Sequence, residues 1–299
     1  MNHERAHGGS EGAGSHEECA PGEHAAFGAR LAAAVADRGR LCVGIDPHPR
    51  LLEAWGLTDD AGGLEHFALT AVDALAGDVA VLKPQSAFFE RYGSRGLAVL
   101  ERVLSRARHA GALVLLDVKR GDIGSTMAAY AQAYLDDAAP LAADAVTLSP
   151  YLGVGALDPA LDLAGRTGRG VFVLALTSNP EGATVQRAWT PAGGSVAQQV
   201  VDAAAAVNAG AHPQGHAGIV VGATVGPSGL DLGTLNGPVL APGVGAQGAA
   251  VADLPRLFGA AVRHVVPATA RDVLRHGPDP VALRSAALRL RDEIAATVG

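Results

Sequence analysis

Lys83 and Lys119 are the only lysines in this chain, although Lys and Arg together number 23. Lysine differs from arginine in one property that chemistry can use: its ammonium can give up a proton, whereas the guanidinium stays charged. Lys83 ends the apolar run VAVLK (79–83). Lys119 lies in LLDVKRGD (115–122), between Asp117 and Asp122. Residues two apart in a strand share a face, so Asp117 and Lys119 project together while Asp122 follows in the turn. Two ammonium groups and two carboxylates at the ends of apolar runs form a charge cluster suited to moving a proton and stabilising a developing charge.

Such a cluster needs a scaffold that brings strand ends together. Eight short apolar runs rich in β-branched residues or leucine cover 41–46, 79–83, 112–119, 144–149, 170–176, 218–223, 238–242 and 264–268. They read as strands buried on both faces of a parallel sheet. Helical patterns lie between them. In 94–110, Leu97, Leu100, Val103, Leu104 and Ala107 make one apolar stripe; 195–209 and 279–298 behave similarly. Eight strands alternating with eight helices predict an α/β fold, a single (β/α)8 barrel. An extra helix over 23–38 is expected to cover the bottom. A doubly wound open sheet would alternate too. The polar residues favour the barrel, because Asp46, Lys83, Asp117, Lys119, Ser149, Ser178, Gln247 and Arg271 all fall at or just beyond C-terminal strand ends, which converge on one mouth.

The chain is 299 residues long, with 48% hydrophobic and 4% aromatic residues, so Ala, Val and Leu must build the core. No composition shift divides 22–299, which reads as one catalytic domain. Residues 1–21, rich in Gly, His, Glu and Ser, read as a disordered tail in which His3, His7 and His16 are solvated. A net charge of −7 argues against a general nucleic-acid binder. No apolar stretch approaches the ~20 residues a bilayer requires, and the N-terminus lacks a signal-peptide pattern. Cys19 and Cys42 make no disulfide framework, which fits a cytoplasmic location.

The segments IDPHP (45–49), LKPQSAFFERYG (82–93), DVKRGDIGSTMAAYA (117–131), LTSNPEG (176–182), APGVGAQG (241–248) and PATAR (267–271) resemble the orotidine 5′-phosphate decarboxylases. The resemblance runs from residue 27 onward, and its third-strand motif and K-P-Q-x-A-F-F-E segment are similar to the branch found in mycobacteria and relatives. It implies a metal- and cofactor-independent carboxy-lyase of pyrimidine biosynthesis that converts orotidine 5′-phosphate to uridine 5′-phosphate and carbon dioxide. By the same resemblance Lys119 protonates C6, Asp117 sits beside the departing carboxylate, and Lys83 completes an alternating charge array. The family works as a homodimer, which implies that Asp122 and Thr126 are lent across the interface. Asp46 and Lys83 would hold the ribose hydroxyls, with Gln85 or its neighbour Ser86 assisting. Ser178, or else Thr177, would read the pyrimidine edge. Pro242 would pack on the base, and Arg271 and Gln247 would grip the phosphate.

The long Gly/Pro-rich segment 179–194 reads either as a lid or as a disordered solvent loop. The short turn after strand seven argues against a large flap there. His48 reads as a solvent or supporting residue, and Tyr130 and Tyr134 as interface or core. Two rivals remain. Magnesium-dependent sugar-phosphate decarboxylases and aldol-type synthases share the D-x-K-x-x-D strand, but they need carboxylates at the first two strand ends to bind the ion. Here the second strand ends in Lys83. A non-catalytic nucleotide-binding barrel is the other. No G-x-G-x-x-G follows the first strand and no H-E-x-x-H is present, so redox and zinc chemistry lack their motifs.

Overall fold

The computed structural model describes residues 25–298 apart from 192, 227, 246 and 247. The tail expected to be disordered, residues 1–21, lies outside the described residues, as does Gln247. Eight parallel strands close into a barrel in chain order: β1 (Cys42–Ile45), β2 (Val81–Pro84), β3 (Leu113–Arg120), β4 (Ala145–Leu148), β5 (Gly170–Leu176), β6 (Ala217–Val221), β7 (Val239–Pro242) and β8 (Val265–Thr269). Each expected strand is present, shifted by no more than two residues at either end.

Alternation along the strands sorts side chains into two apolar layers. Val43, Ile45, Leu82, Val114, Leu116, Val146, Val171 and Val173 face outward and pack under the helices. Cys42, Val81, Leu115, Ala145, Phe172, Val220, Leu240 and Val266 fill the barrel interior. The same period carried to the strand ends aims Asp46, Lys83, Asp117, Lys119 and Thr147 inward and upward.

Helix α1 (Phe27–Arg38) closes the bottom, as its position before the first strand suggests. Phe27 and Leu31 insert among Val81, Leu113, Leu115, Phe172, Leu240 and Val266. The Phe27 ring meets Phe172 edge-on with centroids 6.0 Å apart. Gly170 makes the fit possible: a Cβ there would lie 2.5 Å from the Phe27 ring. Burying a side chain of this size contributes about 1.5–3 kcal/mol.

One gap departs from strict alternation. The helix expected between β6 and β7 is absent among the described residues, and an irregular segment spans the gap from residue 222 to 238. Its buried anchors are Leu232 and Leu235. Asn208, fully buried at the end of the preceding helix (Val196–Val207), ties this segment down. Its amide donates to Ala217 O at 2.7 Å and Leu235 O at 2.9 Å and accepts from Ala217 N at 3.0 Å. A Gly-rich segment of this kind cannot bury a helical stripe, so side-chain hydrogen bonds replace it.

Candidate active site

At the C-terminal mouth of the barrel a cleft of about 950 Å³, open solvent at its entrance included, is lined by residues from every strand end. Asp46, Lys83, Gln85, Asp117, Lys119, Ser178, Pro242 and Arg271, all expected from the sequence, share it. Its charged wall comes from β1, β2 and β3. Its apolar wall is Leu174, Leu176, Val220, Leu240 and Pro242 from β5, β6 and β7. A flat heterocycle could pack on the second wall while the first acts on one edge of it.

Asp117 is the hub. It is 5% exposed, and Lys83 Nζ donates to its Oδ2 at 3.0 Å while Lys119 Nζ donates to Oδ1 at 2.6 Å. The Thr147 hydroxyl adds a bond to Oδ1 at 2.7 Å. Burial opposes the carboxylate's charge, but the two ammonium groups and the Thr147 bond prevail and hold it far below the usual carboxylate range. Lys83 is also buried. Desolvation alone would discharge it, yet Asp117 and Asp46 raise its pKa above the ordinary lysine value. Each charge is therefore kept by its neighbours. Lys119 differs in access, since its side chain is 45% exposed and reaches into the cleft.

The backbone beneath Lys119 is unusual for a strand. Lys119 lies at φ +47°, one of two non-glycine residues among those described with positive φ. The β3–β4 register shifts between Leu116 and Arg120, and the Lys119 N–H turns to the Thr147 hydroxyl at 3.0 Å. Holding a side-chain-bearing residue in this region costs of order 1–3 kcal/mol and persists only where neighbours enforce it.

Asp46 completes the charged wall. Its Oδ1 is buried without a hydrogen-bond partner among the described residues. Desolvation raises its pKa, against the pull of Lys83. Beneath it the Cys42 thiol is pushed up to about 12 by burial, so it stays protonated. Asp46 lines the cleft, and a buried carboxylate oxygen left in this state keeps hydrogen-bonding capacity that the described residues do not use. Gln85 stands beside it, its backbone N–H on Ile45 O at 3.2 Å and its amide 3.4 Å from Asp117 O. Ser86 is buried and turns to Glu90 at 2.5 Å, which leaves Gln85 as the residue facing the cleft.

On the opposite side Thr177 and Ser178 part company. Thr177 is engaged by Gln186 through both its N–H (2.9 Å) and its hydroxyl (2.8 Å), and also donates to Asn179 at 2.6 Å. Ser178 is exposed to the cleft, and its hydroxyl has no partner among the described residues. Gln186 belongs to a short helix (Ala183–Gln186) within the segment 179–194, so this stretch is ordered at its start rather than a loose loop. Arg271 opens the helix Arg271–Leu274 after β8 and forms no ion pair among the described residues. The Trp55 indole fixes that helix by donating to Leu274 O at 2.9 Å. Arg271, Lys83 and Lys119 give the cleft three cations against the two carboxylates Asp46 and Asp117, a balance that favours an anionic ligand.

Asp122 and Thr126 do not line this cleft. Asp122 accepts from Ile123 N at 2.8 Å, and Thr126 is exposed on the helix Gly124–Leu135. Ser149 does not line the cleft either, and its backbone N–H donates to Arg120 O at 2.7 Å. His48 caps the helix Pro49–Ala54 and stands against Phe88, while Tyr134 is core. Thr147 is the site residue that sequence reasoning missed. The signal was present, since Thr147 is the polar member of DAVTLS placed two residues before the strand-end Ser149.

Residues 39–285 match the family described as orotidine 5′-phosphate decarboxylase / HUMPS. The orotidine 5′-phosphate decarboxylase of Salinispora arenicola is 65% identical over 264 residues, covering 88% of this chain and 95% of that protein. The enzyme of the same name from Streptomyces coelicolor is 63% identical over 273 residues, covering 91% and 98%. Among solved structures, a putative orotidine 5′-phosphate decarboxylase from Streptomyces avermitilis superposes with a TM-score of 0.90 at 62% identity, over 92% of this chain and 96% of that one.

Proposed function

The chain belongs to the orotidine 5′-phosphate decarboxylase / HUMPS family, and from that membership we infer that it converts orotidine 5′-phosphate to uridine 5′-phosphate and carbon dioxide. The observation that carries this reading is the Lys83–Asp117–Lys119 array, buried except for Lys119, facing an apolar wall, with Arg271 at the far side and in no ion pair among the described residues. In the proposed step the C6–carboxylate bond breaks and its electron pair stays on C6. Lys119 then delivers a proton there and is recharged from water. Asp117 lies where the leaving carboxylate would stand. Two like charges 4 Å apart repel by about 4 kcal/mol at an effective dielectric near 20. Full relief of one such contact in the transition state corresponds to about a thousandfold in rate, and attraction between Lys119 and the carbanion adds to it.

Asp46, which lines the cleft, takes a ribose hydroxyl, assisted by Lys83 and Gln85. Ser178 reads the pyrimidine edge, Pro242 packs on the ring, and Arg271 grips the phosphate with its planar fork. Gln247 is proposed for the same anion on family grounds alone. Asp122 and Thr126 serve the site of a second copy, which makes the working unit a homodimer. Ile123, Tyr151 and Leu152 support that assignment: they are 61%, 77% and 53% exposed on the turns after β3 and β4, beside Asp122. Apolar side chains this exposed on neighbouring turns suit a protein interface. The buried free thiol of Cys42 suits the reducing cytoplasm proposed as its location.

The magnesium-using branch of the fold is disfavoured by the residues themselves. Both oxygens of Asp117 are held by ammonium groups, and a divalent cation at this carboxylate would face Lys83 and Lys119 together. The test is the ultraviolet spectrum of orotidine 5′-phosphate mixed with the purified protein and excess chelator. Conversion to the spectrum of uridine 5′-phosphate is expected. An unchanged spectrum with chelator, but turnover of sugar phosphates with magnesium, would overturn the reading.

A further inference from the structure

We propose that Thr147 is a positioning residue for the proton transfer, joining the Asp117 carboxylate and the Lys119 backbone in one hydrogen-bonded relay. The inference rests on the decarboxylase reading above.

Thr147 is 1% exposed, at the inner face of β4. Its single hydroxyl proton is committed to Asp117 Oδ1 at 2.7 Å, and its lone pair receives the Lys119 N–H at 3.0 Å. Both bonds fall where ordinary strand pairing fails. The β3–β4 ladder is paired at Leu116 and again at Arg120, and Lys119 lies in the gap at φ +47°. Without the hydroxyl, its amide and one oxygen of Asp117 would each lose a bond in a buried setting. The Thr147 bond holds the backbone where the side chain of Lys119 can reach both Asp117 and the cleft.

The second bond matters during turnover. Lys119 Nζ and Thr147 Oγ1 share the same oxygen of Asp117. Once the ammonium gives its proton to C6, it stops neutralising Asp117, and the Thr147 hydroxyl is the contact to that oxygen that persists. The carboxylate stays in place, and the neutral amine returns to a fixed partner. The charged or titratable groups that face Asp117 are Lys83 from β2, Lys119 from its own strand, and Asp46 and the Cys42 thiol from β1. Thr147 is the uncharged member of the cluster, so replacing it alters hydrogen bonding without altering charge.

The test compares Thr147→Val and Thr147→Ser in the full chain, measuring kcat against pH and the dissociation constant of uridine 5′-phosphate. Valine keeps the volume but neither bond. A hydrogen bond to a charged group is worth about 1.5–3 kcal/mol, so kcat of the valine variant should fall about 10- to 150-fold. Its acid limb should move to higher pH, because Asp117 loses a donor that favours its charged form. Nucleotide affinity should stay within about threefold, and serine should restore kcat to within about threefold of the parent. Parent-like kcat and pH profile in the valine variant would overturn the inference. So would equal damage by serine, with kcat and affinity falling together and the limb unmoved, because that pattern marks a packing role. An inactive parent protein would instead overturn the decarboxylase reading itself.

Discussion

Lys119 Nζ rests 2.6 Å from Asp117 Oδ1 while the lysine's own backbone is held at φ +47°. Period-two alternation places Lys119 on the Asp117 side of β3, and the surrounding structure imposes the backbone conformation from which its ammonium makes this contact. The strain of order 1–3 kcal/mol is offset by the Thr147 bond and by attraction to a buried carboxylate. The arrangement puts a partly exposed, exchangeable ammonium over the cleft while its counter-ion remains buried.

Asp46 should trade stability for binding. Its burial with an unpartnered oxygen raises its pKa, so its charge opposes folding above the ordinary carboxylate range. A group of this sign contributes fully to stability only while protonated, and that contribution is lost as pH rises through its folded pKa. Asp46→Asn should therefore melt about 2–4 °C higher near neutral pH, for a gain of about 1 kcal/mol. The difference should fade on acidification, where the parent carboxyl is neutral in both states. Affinity for uridine 5′-phosphate should drop at least about tenfold. Calorimetric melts across pH and a nucleotide titration check both halves.

Ser178 and Thr177 should separate binding from folding. Ser178 lines the cleft with a hydroxyl that has no partner among the described residues, whereas Thr177 is bound to Gln186 and Asn179. Ser178→Ala should raise KM about 2- to 13-fold, one neutral hydrogen bond, with an unchanged melting temperature. Thr177→Val should lower the melting temperature more than Ser178→Ala does, because it leaves Gln186 short of a partner.

Subunit mixing tests whether Asp122 crosses an interface. Inactive Lys119→Ala and inactive Asp122→Ala chains, exchanged at equal ratio, should recover about a quarter of the parental activity, since half the dimers are mixed and each holds one intact site. No recovery after subunit exchange has been verified by mass would place Asp122 in its own chain's function.

Much of this molecule could be read from the residues alone. The strands were visible because a parallel barrel buries both faces, leaving continuous apolar runs such as GVFVLAL at 170–176. The charged wall followed from period-two alternation carried past those runs to Asp46, Lys83 and Lys119. Other features depend on contacts distant in sequence. Nothing local marks Lys119 for positive φ, because the register shift that creates it involves β4. What sets Thr177 apart from Ser178 is Gln186, nine residues away, which no spacing rule pairs with Thr177. The lack of a helix among the described residues between β6 and β7 was hidden for a similar reason. Asn208 reaches across 27 residues to Leu235 and supplies the order that a helix would have given.

The most direct test removes the proposed proton donor. Lys119→Ala should be mixed in excess with orotidine 5′-phosphate in a single-turnover experiment, with uridine 5′-phosphate binding measured in parallel. We expect decarboxylation to fall by at least about a thousandfold, the loss of one charge contact of about 4 kcal/mol, while the nucleotide still binds measurably. Parent-like turnover by that variant would contradict the assignment of Lys119 and, with it, the role given to the charge array.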